Sequence, residues 1–94
     1  MNKFAYVLSD TGYLPTIDTY SEIVGVYDSM EKAEEALSRY AFDFENDASV
    51  GIYGELNLEI DNEIHGETYS EIYYKDEDYY AIIKIEEFEI NAEV

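Results

Sequence analysis

His65 is the only imidazole in a chain that contains no cysteine, so the side chains that most often act as nucleophile, general base or zinc ligand are nearly absent. A Ser-His-Asp triad or a typical zinc site is not expected from that inventory. The run Asp61-Asn62-Glu63-Ile64-His65-Gly66 reads as a polar loop, with His65 a solvated residue within it. Paired carboxylates can perform acid–base work, as in glycosidases. Among 23 Asp and Glu, however, neighbouring acids arise from composition alone. Asp43-Phe44-Glu45-Asn46-Asp47 and Asp76-Glu77-Asp78 supply oxygens of the kind that hard cations prefer. The first has Ala48 where an EF-hand loop needs glycine, and the second runs directly into Tyr79-Tyr80. Neither enzymatic activity nor a cofactor or metal site is expected.

What the carboxylates do in bulk is create a field. Five Lys and Arg oppose the 23 acids, giving a net charge of −18 over 94 residues. Direct binding to DNA or RNA fails on sign, since it requires cations that displace counterions. The inverse role fits: a surface of fixed carboxylates can occupy a groove built for phosphates and is drawn to basic protein patches. Alternate residues of a strand stand about 6.6–6.8 Å apart on one face, comparable with successive phosphates. Three sets could form such ladders: Glu55, Glu59 and Asp61; Glu67 and Glu71 with Glu86, Glu87 and Glu89; and Asp76, Glu77 and Asp78. Eleven tyrosines add apolar contact area of the type enriched at protein interfaces. Tyr69, Tyr73 and Tyr80 are expected on the same face as the acids of the final hairpin.

The elements that must carry these residues are legible in outline. Phe4–Leu8 and Glu22–Tyr27 read as strands with little polar alternation, suited to the interior of a sheet. The segment between them, with Gly12, Pro15 and Asp18, reads as a long loop that could be functional. From Asp28 to Phe44, apolar residues recur at helical spacing behind Asp28 or Ser29 as the cap, so an amphipathic helix is expected against a sheet. Val50 to Asp61 alternates with period two, which predicts a strand with a wet acidic face. Glu67–Tyr74 and Tyr79–Ile90 read as a hairpin joined by Lys75–Asp78. With Tyr74 opposite Tyr79, Ser70, Ile72 and Tyr74 share a buried face with Ala81, Ile83 and Ile85. Keeping Phe88 and Ile90 inside as well predicts a β-bulge at Glu86-Glu87, and Asn91 to Val94 are expected to fray. The fold class expected is α+β, one domain over residues 1–94 in the order ββαβββ, with one helix on an antiparallel sheet of about five strands.

Composition bounds the rest. The chain is 47% hydrophobic and 16% aromatic, which is a folding composition and not that of a disordered acidic tail. No apolar run approaches the roughly 20 residues of a membrane span, and Met1 leads into Asn2-Lys3-Phe4 without a signal-peptide core. A cytoplasmic protein without membrane contact is expected, and self-repulsion favours a monomer. The stretch Ile23–Leu37, a strand running through a capped turn into a Glu-rich helix, resembles one found in many small bacteriophage and bacterial proteins. The size, acidity and tyrosine content resemble the DNA-mimic inhibitors that phages direct against restriction enzymes and CRISPR effectors. That resemblance implies an inhibitor whose partner is a basic nucleic-acid-binding protein. The alternative expectation is an acidic adaptor that binds a basic partner without competing with nucleic acid.

Overall fold

The computed structural model describes residues 3–90. Its elements are β1 (Lys3–Leu14), β2 (Asp18–Tyr27), α1 (Met30–Ser49), β3 (Glu59–His65), β4 (Tyr69–Lys75) and β5 (Tyr80–Ile90). The strands make one antiparallel sheet in the order β2-β1-β5-β4-β3. The helix covers one face, so the α+β class and the ββαβββ order are as expected. Among the described residues no helix is long and apolar enough to cross a membrane.

The first hairpin departs from the sequence reading. The expected long loop is mostly strand: β1 continues to Leu14, β2 resumes at Asp18, and the turn is closed by Ile17 N–H donating to the Leu14 carbonyl at 3.3 Å. Asp18 takes a left-handed φ of 68° to make it. Gly12, read as a loop residue, is needed for close approach instead. A Cβ there would overlap the Tyr80 carbonyl oxygen and lie 3.0 Å from the Ala81 Cα. β1 is interior, but β2 is an edge strand, with Ile23 and Val26 exposed.

The helix is capped by Ser29, whose hydroxyl accepts from the Lys32 N–H at 3.2 Å. Asp28 instead pairs with the Lys32 ammonium at 3.0 Å, which holds its carboxyl below the usual range. The helix runs five residues past the expected Phe44, to Ser49. The predicted strand from Val50 is then corrected. Gly51 (φ 84°) and Gly54 (φ 91°) turn the chain, and residues 50–58 form an irregular connection. Leu56 and Leu58 fold onto the core while Val50 and Ile52 stay exposed. The alternation there reflects two separate turns, not one pleated strand.

The final hairpin slips by two residues relative to expectation, Tyr74 pairing with Ala81 and not with Tyr79. An even slip leaves every side chain on its predicted face, so Ser70, Ile72 and Tyr74 are buried with Ala81, Ile83 and Ile85. The bulge at Glu86-Glu87 is absent: β5 pairs with β1 without interruption from Tyr80 to Ile90, and Phe88 and Ile90 sit half-exposed on the uncovered face. Register shifts fall instead at Val24 of β2 and Asp61 of β3, the two edge strands. The predicted fraying of Asn91–Val94 lies outside the described residues. Leu8, Leu14, Leu37, Phe44, Ile83 and Ile85 anchor the core between helix and sheet.

Candidate functional site

The register sorts the charges onto two sides. On the face away from the helix, β5, β4 and β3 present Glu86, Glu71 and Glu59, and the cations Lys84, Lys75 and Lys3 stand on the same face. The Lys84 ammonium is 3.1 Å from Glu86 Oε1, Glu71 is the cross-strand partner of Lys84, and Glu59 that of Lys75. The helix side has no such balance. From Asp28 to Asp47 there are seven acids against Lys32 and Arg39. Glu31, Glu35 and Asp43 are exposed on the outer surface of α1.

The predicted partner-binding residues divide accordingly. Glu55 lies in the irregular connection, Glu59 opens β3, and Asp61 occupies its bulge. Glu59, Asp61, Asp76 and Glu77 come together around an open depression also lined by Asn57, Ile60 and Lys75. Asp76 accepts the backbone N–H groups of Asn57 (3.0 Å) and Glu77 (2.5 Å), which hold its carboxyl below the usual range. Asp78 and Glu67 are exposed in the two turns that flank β4. Glu71, Tyr69, Tyr73, Tyr80 and Glu86 share the uncovered face, with the Tyr73 and Tyr80 rings 6.4 Å apart. Glu87 and Glu89 point the other way, Glu87 accepting the Tyr6 hydroxyl at 2.8 Å. That bond lifts the Tyr6 phenol above its ordinary value.

Two polar networks were not foreseen. Asp10, only 3% exposed on the helix side of β1, accepts the Tyr20 hydroxyl on Oδ1 at 2.8 Å and the Tyr40 hydroxyl on Oδ2 at 2.6 Å. Burial pushes the Asp10 carboxyl up, and the two phenol donors partly offset this. Burial and the adjacent carboxylate push both phenols far above their ordinary value, so they remain donors. The signal available in the sequence was the placement of Asp10 in the Leu8, Gly12, Leu14 phase of β1.

The second network corrects the reading of His65. It is exposed, as expected, but it is the last residue of β3 and not part of a loop. Its Nε2 lies 2.6 Å from Glu63 and its Nδ1 3.1 Å from Glu34 of the helix. The Ser70 hydroxyl, fully buried, also donates to Glu34. The bond to Glu63 raises the imidazole above its ordinary value, opposed by desolvation and aided by Glu34. Tyrosine therefore has an internal role. Tyr69 donates to Glu71 at 2.6 Å and Tyr74 to Glu45 at 2.5 Å, so with Tyr6, Tyr20 and Tyr40 five of the 11 tyrosines bind carboxylates of the same chain. Burial and the Glu71 bond push the Tyr69 phenol up to about 12.

No protein-family model, curated protein or solved structure matches this chain. Among the described residues no three His, Asp or Glu side chains converge as a metal-ligand set.

Proposed function

We propose that this protein is an acidic inhibitor that occupies the nucleic-acid-binding surface of a basic protein, a restriction enzyme or CRISPR effector being the target class. The supporting observation is charge density on a folded body. Glu93 lies beyond the described residues, so 17 of the 18 net charges belong to a body with a long axis of 48 Å. That is one net charge per about 2.8 Å, between the values of about 1.7 Å for duplex DNA and 3.4 Å for one of its strands. The shorter axes of 23 and 18 Å keep the body rod-like. Carboxylates on the helix and at the β3 rim steer encounter and pair with the Arg and Lys that otherwise hold phosphates. The protein acts in the cytoplasm, where such targets work.

Competition tests this reading. Partners captured from a bacterial lysate at low salt are challenged with excess duplex DNA. Displacement of a nucleic-acid-binding protein is the expected result. A partner retained at saturating DNA makes the protein an adaptor and ends the mimic reading. Charge reversal of Glu59, Asp61 and Glu77 is expected to weaken capture at least tenfold, about 1.4 kcal/mol. Unchanged capture would move the interface to the exposed surface of α1.

A further inference from the structure

Apart from Glu59 at its β3 rim, the open face of the sheet is the part of the surface that the charge-mimic reading does not use. Ile23 (69% exposed), Val26 (61%) and Phe88 (49%) stand on it among half-buried tyrosines, and a sheet face without a covering layer is an incomplete core. Its charges are unlike those of the rest of the molecule. Three of the chain's five cations, Lys3, Lys75 and Lys84, lie there with only three of its 23 acids, Glu59, Glu71 and Glu86. The face is formally neutral and carries both signs, whereas the helix side is strongly acidic.

We infer that this face is the interface of a homodimer in which two copies pack sheet to sheet with their helices outward. A basic partner is drawn to the helix side, and an acidic one is repelled by the molecule's field. A second copy presents the same mixed set, and a two-fold axis lets the cations of each face meet the acids of the other. Five strands at about 4.8 Å spacing, with central strands of about 30 Å or more, give a face of roughly 700 Å². That approaches the ~800 Å² per partner of a stable interface. Sheets in contact stand about 10 Å apart, and a helix layer adds a similar distance on each side. The two acidic surfaces are then roughly 30 Å apart, several times the ~8 Å Debye length at physiological salt. Edge-to-edge pairing is the poorer route, because both edge strands carry a register shift that interrupts a continuous template.

The inference does not depend on the proposed target, and its test uses purified protein alone. Light scattering or native mass spectrometry near 50 μM and about 150 mM salt reads the assembly state. The expected mass is about 22 kDa, twice the 10.9 kDa chain. Lys75→Glu with Lys84→Glu makes the face acidic, and Glu71→Lys with Glu86→Lys makes it basic. Each double variant alone is expected to be monomeric, and an equimolar mixture to recover the two-copy mass. Recovery on mixing also excludes loss of fold as the cause of dissociation. A wild-type mass of 10.9 kDa under these conditions overturns the inference. So does a dimer that persists in both double variants, or variants that stay monomeric when mixed.

Discussion

At the scale of single residues, the abundance of Tyr and of Glu is one property. A carboxylate taken from water loses hydration that a phenol can replace, and a phenol beside a carboxylate does not ionise in the neutral range. Asp10 shows the dependence most clearly, since both of its oxygens accept from tyrosines. Tyr40→Phe removes one of these bonds from a nearly buried carboxylate and is expected to cost about 1.5–3 kcal/mol in urea unfolding at pH 7. The loss should shrink as pH falls through the raised folded value of Asp10, where the carboxyl gains its proton. His65 titrates in the same direction. Its folded value is raised, so its stabilisation is complete below the ordinary imidazole value near 6.5 and disappears as pH rises through the folded value. The melting temperature should therefore be higher at pH 5.5 than at pH 8, and His65→Gln should flatten that slope. The ring is partly exposed, so the difference is expected to stay below about 1 kcal/mol, a few degrees. A slope unchanged in His65→Gln would assign it to Asp10, the carboxyl raised in the fold.

At the scale of elements, legibility followed how far a pattern rested on one physical cause. The helix was readable because its cap, apolar stripe and polar face all point to the same answer. The faces of the β4–β5 hairpin were readable because a two-residue error in register leaves side-chain direction intact. The 50–58 connection was not, since leucines folding back from an irregular segment imitate period two. The β1–β2 turn was missed for the opposite reason. Polar Ser9, Asp10 and Thr11 and a glycine imitate a loop, while the cause of Gly12 is a neighbouring strand distant in sequence. Gly12→Ala forces Cβ against the Tyr80 carbonyl and is expected to cost about 2–3 kcal/mol, in the range of overpacked cores. A variant within about 0.5 kcal/mol of wild type in chemical denaturation would mean that β1 and β5 can separate locally without penalty. The candidate site was legible only as acids without places. Composition supplied their number, whereas grouping Glu59 and Asp61 with Asp76 and Glu77 required the β3–β4 pairing.

At the scale of the whole molecule, a net charge of −18 on a fixed body stores repulsion that folding must overcome. Added salt is expected to raise the melting temperature, most steeply between about 10 and 150 mM, where the Debye length contracts from about 30 to 8 Å. A melting temperature insensitive to salt would mean that the carboxylates are compensated within the fold. The central pair of the sheet has a consequence in time. β1 and β5, joined from Lys3 with Ile90 to Tyr13 with Tyr80, are the first and last strands among the described residues. At about 5–20 residues per second of synthesis, the apolar side of β1 waits on the order of ten seconds for its partner. Local helix and hairpin formation take microseconds, but an isolated helix or two-stranded hairpin is marginal in water, so α1 and the β3–β4 hairpin are secured only when β5 completes the core. Native protection of the β1 amides that face β5, unlike those that face β2, should therefore appear only after β5 has been made, and a chain stopped before Tyr80 should present Leu8 and Leu14 to chaperones.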